Sequence, residues 1–239
     1  MSMTKGKAVM PPRIVTESCY MMDIITDVRN GRVVPAAFQR PYVWTPDDVE
    51  ALWMSILKGY PLGSLLMWNP VDVAGAGRTR LGPIEAATDG RRDVILDGQN
   101  RLVTMAWSTT PEDADVPADA PGHAMWRSGR TLVADPYLRR IHFVDDQAVK
   151  GMIMPVHYLS GRLNTFLRKN WTCDEDDGHA RWLDDLACLQ RQARMIKVTI
   201  ERATPEQARD AFLHISRAGV PMSAEDFDAA MAFDLGGLA

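Results

Sequence analysis

The stretch that most constrains the fold is "DVILDGQNRLVTMAW", residues 93 to 107. Val94, Ile95 and Leu96 form an apolar run that reads as a buried strand, and Leu102, Val103 and Met105 resume the apolar pattern at helical spacing. Between them stand an acid, a glycine, two side-chain amides and an arginine. This order predicts a strand that turns directly into a helix, with Asp97 to Arg101 on the turn. Gly98 permits either a close backbone approach or a positive φ, and the first amides of the new helix point outward without intrahelical partners. Such a helix start suits an anion. Asp97 then holds a magnesium ion or orients a water, Gln99 hydrogen-bonds a water or a base edge, and Arg101 clamps a phosphate with its planar fork. A plainer structural role fits the same residues taken alone: Asp97 as a helix cap, Gly98 as a turn, Gln99 facing solvent and Arg101 paired with an acid.

A second polar cluster adds weight to the ligand reading. "FQRPYVW" sets Gln39 and Arg40 beside a proline and between Phe38, Tyr42 and Trp44. It is an aromatic-framed segment with two more groups suited to phosphate or base recognition. Arg40 and Asp97 are far apart in the chain, yet polar breaks in apolar elements are costly unless they converge on a ligand, so one cleft is expected to hold both clusters.

The flanking segments read as an α+β mixture. Tyr20, Met21, Ile24, Ile25 and Val28 share a helical stripe that Gly31 ends. Thr45 caps a second helix, with Pro46 in its first position, Asp48 completing the capping box, and Val49, Leu52, Trp53, Ile56 and Leu57 on its buried face. "SLLMWN" is a buried strand, and a Gly-rich loop or hairpin follows it before residue 93. "TLVAD" and "RIHFV" are paired strands, "SGRLNTFLRKN" and "HARWLDDLACLQRQAR" are helices, and "MIKVTIER" is a late strand. "TPEQARDAFLHISRAG" is a helix with a Thr-Pro start and a stripe of Ala208, Ala211, Phe212 and Ile215, and a last helix opens at Ser223. Residues 108 to 123 carry prolines and acids without periodicity and read as a loose surface insertion.

Composition sets the outer limits. The chain has 239 residues, 46% of them apolar, and a net charge of −4, so a packed core is available and no global positive field marks a nucleic-acid binder. Cys19, Cys173 and Cys188 are odd in number and widely spaced, which argues against a disulfide framework. The histidines show no zinc-ligand spacing, so no structural metal is expected. No apolar run approaches the roughly 18 residues of a membrane span, and the start of the chain has no hydrophobic signal core, so a cytoplasmic protein without membrane contact is expected.

Taken in order, the motifs resemble a known family. "VPAAFQRPYVWTPDDVEALWMSILKGYPLGSLLMW" followed by "VILDGQNRLVTM" is similar to the domain of unknown function 262 family, which includes the N-terminal part of GmrSD-type modification-dependent restriction enzymes. The family pattern is a "P-x-[FY]-Q-R-x-Y-x-W" segment, a helix, a "G-x-x-[IL]-G-S" turn and a "D-G-Q-[QN]-R" motif. A late "FLHISRAGVPMSAED" matches a third family feature at Phe212, Ile215, Gly219, Ser223 and Asp226, and departs from it at Ser216, where Asn is usual, and at Met222, where Leu is usual.

The resemblance implies a ParB/sulfiredoxin-like fold: a small mixed sheet surrounded by helices, with additional C-terminal helices. It implies one domain over residues 17–230 with a flexible insertion at about 108–130, between tails at 1–16 and 231–239. It further implies a nucleoside triphosphate with Mg2+ as the bound group. Asp97, Gln99 and Arg101 are then the catalytic residues, Asp97 also meets the metal, and Gln39, Arg40, Gly98 and Ser216 bind the nucleotide. The implied function is an NTP-hydrolysing sensor of a restriction or anti-phage system that recognises DNA, modified DNA included, and licenses a nuclease. A non-catalytic DNA- or protein-binding module of the same fold is the alternative. The sequence carries no H-N-H pattern or paired metal-binding carboxylates, so DNA cleavage is expected to need a nuclease domain or subunit supplied elsewhere. A homodimer is an open expectation.

Overall fold

Strand β1 (Arg13–Tyr20) passes straight into helix α1 (Met21–Arg29), whose first amide, that of Met21, donates to the Ala193 carbonyl at 3.0 Å. Next come β2 (Val33–Pro35), α2 (Pro46–Leu57), β3 (Ser64–Asn69), a small hairpin of β4 (Arg80–Leu81) and β5 (Ile84–Glu85), and β6 (Asp93–Asp97). Helix α3 (Gln99–Ser108) follows β6, and a short helix α4 (His123–Trp126) precedes the strands β7 (Arg130–Asp135), β8 (Arg140–Asp145) and β9 (Met154–Pro155). Helices α5 (Leu163–Asn170) and α6 (Asp177–Gln192), strand β10 (Arg194–Glu201) and helix α7 (Pro205–Ala218) complete the order. This is a computed structural model, and the residues it describes are 11–36, 41–70, 79–86, 92–171 and 177–218.

The main sheet has the order β1-β10-β3-β6-β2. Its pairings are mixed: β10 runs parallel to β3 and β2 parallel to β6, while β1 with β10 and β3 with β6 are antiparallel. Pro35, which has no N–H to donate, lies in the edge strand β2, where such a residue is tolerated. A second sheet, β8-β7-β9, forms from the later strands. The fold is α+β, as the alternation of segment types predicts.

Helix α3 lies at the centre of the core. Leu102, Val103, Met105 and Ala106 are fully buried, as are Ile95 and Leu96 of β6 and Leu65 and Met67 of β3. Each such large side chain contributes roughly 1.5–3 kcal/mol through burial. Helix α2 is joined to the end of α3 by Trp53, whose indole Nε1 donates to Ser108 Oγ at 3.1 Å. Its start follows the sequence expectation: Thr45 Oγ1 accepts from the Asp48 amide, Asp48 accepts from the Thr45 amide, and Pro46 fills the first turn.

Two segments differ from the sequence reading. Strand β1 begins at Arg13, inside the segment read as a tail, and carries Tyr20, which the helical stripe had claimed. Its residues are exposed apart from the half-buried Val15 and Cys19, so no regular alternation marks it, and it exists because β10 supplies a full register of partners from Arg13 opposite Glu201 to Tyr20 opposite Arg194. The proline- and acid-rich stretch after α3 is packed rather than loose. Trp107 Nε1 donates to the Pro121 carbonyl at 2.7 Å, Arg127 Nη2 donates to the Pro111 carbonyl at 2.9 Å, and Trp126 stacks on Trp107 with ring centroids 6.0 Å apart. Side chains at its two ends, Trp107 before it and Trp126 and Arg127 after it, hold it, a cause that the composition of the stretch itself does not reveal.

The β1–β10 pairing yields a chemical prediction. Cys19 Sγ lies 3.7 Å from the Met195 carbonyl as a weak donor. Burial pushes its thiol above the ordinary range; Lys197 opposes the shift, and Glu17 and Asp23 add to it. At pH 8, iodoacetamide should therefore modify Cys19 several times more slowly in the native protein than in denaturant, since only the thiolate reacts. Peptide mapping by mass spectrometry measures this, and equal rates would refute it. A folded-state value above the unfolded one means that this contribution to stability is intact below the unfolded thiol's range and is lost as the pH rises through the folded value.

Candidate functional site: the turn between β6 and α3

Strand β6 ends at Asp97, which lies opposite Leu66 of β3 at an irregularity between Leu66 and Met67. The chain then reverses through Gly98, which has φ +93° and ψ +7° and stands at the N-cap of α3. A side chain there would strain the left-handed backbone and place its Cβ 2.9 Å from Leu65 Cδ1 and 3.2 Å from Arg101 Nη2. Because Gly98 brings no capping side chain, the first amides of α3 lack the acceptor that Ser, Thr, Asp or Asn supplies at most helix starts.

Gln99 is the first helical residue and is only 6% exposed. Its Oε1 is buried and has no hydrogen-bond partner among the described residues. An unsatisfied buried acceptor costs about 1–3 kcal/mol, so native folds seldom keep one without a water or ligand to meet it. The lone pairs of Oε1 require a donor: a water, a hydroxyl or an amine. Asp97 is more open, with 47% of its side chain exposed, and its Oδ2 lies 3.8 Å from Arg101 Nη2. Its carboxylate is thus free to meet solvent species while it neutralises part of the arginine's charge.

Arg101 faces away from solvent. Nη1 donates to the Leu62 carbonyl at 2.7 Å and Nη2 to the Ser64 carbonyl at 2.5 Å. Burial draws the guanidinium below its ordinary value, and the Asp97 carboxylate partly restores it. The fork that the sequence reading assigns to a phosphate therefore grips the backbone on either side of Gly63. Gly63 has φ +79°, and a Cβ at that position would run into Arg101 Nη1. The Gly63 carbonyl in turn accepts from the Ile196 amide of β10 at 3.0 Å. Arg101 and Gly63 thus interlock, tying the turn after β6 to the entry of β3 and to β10. The sequence marks Gly63 only as part of a Gly-Ser turn, and no local signal pairs it with Arg101.

Gln39 and Arg40 lie outside the described residues, but both flanks of their segment are anchored here. The Ala36 amide donates to the Ile95 carbonyl of β6 at 3.0 Å, and Tyr42 Oη and Thr104 Oγ1 of α3 share a hydrogen bond of 2.9 Å. The parallel register of β2 with β6, Pro35 opposite Ile95, directs the chain out of the sheet at the end where Asp97 stands. Burial raises the Tyr42 phenol above its ordinary value, and its hydrogen bond to Thr104 opposes the shift. Ser216 falls within α7, a helix that packs against β6; its side chain, together with Gly219, Ser223 and Asp226, lies outside the described residues. Backbone elements from all three sequence motifs therefore meet around one strand.

Among the described residues no three of His, Cys, Asp and Glu gather in a metal-ligating group, and no helix is long and apolar enough to cross a membrane. A cation at Asp97 would need further ligands from a bound phosphate and from water, which is how Mg2+ is commonly held.

A mixed sheet whose inner strand runs into an uncapped, glycine-started helix defines an α+β domain built around a strand-turn-helix junction. The chain matches the family model of the GmrSD restriction endonuclease N-terminal domain over residues 21–232 and belongs to that family. This associates it with restriction systems. It is also 30% identical over 95 residues to the uncharacterized protein MJ0686 of Methanocaldococcus jannaschii, an alignment covering 37% of this chain and 16% of that protein. The chain thus spans a small part of that relative's length.

Proposed function

We propose that this domain binds a nucleoside triphosphate at the turn between β6 and α3, hydrolyses it slowly with Mg2+, and in doing so couples recognition of DNA to a nuclease of the restriction system. The observation that carries this reading is the buried Oε1 of Gln99, which has no partner among the described residues, at the uncapped start of α3. Unmet amides favour phosphate oxygens, and the adjacent acceptor favours the O–H of a water aimed at them. Gln99 and Asp97 orient that water, and Asp97 also meets the cation. When bound, Mg2+ neutralises charge that develops on the phosphates. Arg101 acts as a positioning residue that holds the turn in place, and the phosphate-binding role is proposed for Arg40 on the strength of its sequence motif. Ser216 is proposed to contact the nucleotide from α7.

Phosphate release from the four ribonucleoside triphosphates, with and without DNA, tests this. Slow Mg2+-dependent release from at least one of them is expected, at a rate that changes when DNA is added. Neither binding nor release with any of the four would overturn it. Binding without release would favour the second reading, a non-catalytic module that uses the nucleotide as a switch. The commitment of the Arg101 fork to backbone carbonyls favours that reading, because it removes one phosphate clamp from the site.

A further inference from the structure

Directly after Arg40, the chain forms one wall of a groove of about 490 Å³, and the segment leading into α4 forms the other. Pro41, Tyr42 and Trp44 face Pro121, His123 and Met125 across it. Among the described residues no Lys or Arg lines it, and Asp119 supplies its one carboxylate. This lining of rings and small apolar side chains suits a flat apolar ring with polar edges better than a phosphate. The groove is held rigidly: Tyr42 is bonded to Thr104 of α3, and Trp107 of α3 bonds the Pro121 carbonyl. At Gly122, φ +86°, a Cβ would stand 3.1 Å from Tyr42 Cδ1 and 3.0 Å from Trp107 Nε1, so only glycine lets the two walls approach this closely. Both walls are bonded to α3, the helix whose start is the candidate site, through Tyr42 to Thr104 and Pro121 to Trp107, and the first wall begins at Pro41, the residue after Arg40 in the chain.

We infer that this groove seats the heterocyclic base of the nucleotide whose phosphates occupy the start of α3, an assignment that rests on the function proposed above. Tyr42, Trp44 and His123 offer ring faces and edges for stacking, which tolerates any base. Asp119 selects among bases, because a carboxylate accepts from the amino group of adenine or cytosine and from the amino and ring N–H groups of guanine, and finds only a single ring N–H on uracil.

Equilibrium titration, followed by tryptophan fluorescence, separates the two halves of the ligand. The arms are inorganic tripolyphosphate, the four nucleosides, the four nucleoside triphosphates and a short single-stranded DNA, each against the full chain. A nucleoside should bind by itself, with uridine the weakest, and the matching triphosphate should bind more tightly than nucleoside or tripolyphosphate. His123→Ala should weaken nucleoside and triphosphate about tenfold while tripolyphosphate is unaffected. Ala124→Trp, which fills the groove from an exposed position and removes no core packing, should do the same. Asp119→Asn should change the order of preference among the bases. If no nucleoside binds, or if triphosphate binding ignores both His123→Ala and Ala124→Trp, the groove is not the base site, even when tripolyphosphate binds. Nucleoside binding without any tripolyphosphate binding would instead remove the phosphate site. Binding of DNA bases in the groove with no effect on free nucleotides would overturn the assignment.

Discussion

Asp97→Ala should reduce triphosphate turnover by at least 10²–10³-fold while nucleotide affinity changes only a few-fold. A group that positions water or metal acts mainly on the transition state, and removal of one such preorganised partner commonly costs this much. The fold should survive, because the side chain is half exposed and its contact with Arg101 at 3.8 Å is a loose ion pair, a type worth about 0–1 kcal/mol. Steady-state phosphate release, paired with a direct binding measurement, distinguishes the two parameters. Equal background release from wild type and variant would remove the enzymatic reading. Arg101 should behave differently. Arg101→Ala leaves the Leu62 and Ser64 carbonyls without their donors, so its first effect is on stability, and turnover falls because the turn moves. Arg101→Lys should rescue little, since one ammonium cannot reproduce a fork that spans two carbonyls. An Arg101→Ala protein of unchanged melting temperature with weakened binding would return this residue to the role of phosphate clamp.

The second large effect is expected at Gly63. Gly63→Ala forces a Cβ into the left-handed region, at about 1–2 kcal/mol, and drives it into the Arg101 guanidinium, whose hydrogen bonds to carbonyls are worth roughly 1.5–3 kcal/mol. A total of about 2.5–5 kcal/mol lowers the melting temperature by roughly 5–20 °C in a domain of this size. Gly59→Ala is the matched control. Gly59 has φ +65°, but a Cβ there meets nothing within 4 Å, so only the backbone cost applies. The interlock is tested by placing Gly63→Ala in an Arg101→Ala background, where it should cost no more than Gly59→Ala. If Gly63→Ala and Gly59→Ala are equally mild in the native background, Arg101 does not depend on Gly63.

The legible parts of this protein were those whose cause is local. Val94, Ile95 and Leu96 declare a buried strand, Leu102, Val103 and Met105 a helix against it, and Gly98 the reversal between them. The Thr45-Pro46-Asp48 start of α2 could be read to the residue, because capping is a matter of neighbours along the chain. The α+β class and the family followed from the order of such segments. Strand β1 could not be read, because most of its residues are exposed and only the distant β10 makes them a strand.

The role of Arg101 illustrates the same limit at the site. Its position after D-G-Q is local, and a free fork near a helix start reads as an anion clamp. Which acceptors the fork meets is set by Gly63, whose missing side chain lets two carbonyls approach. The chain's own letters establish where strand gives way to helix and which polar residues interrupt the core, because propensity, capping and periodicity act over a few neighbouring residues. The fold alone decides whether those polar groups meet backbone or solvent: Arg101 meets two carbonyls, Asp97 the surface, and Gln99 a buried place with no partner among the described residues, since burial and hydrogen-bond satisfaction depend on residues brought together from far along the chain.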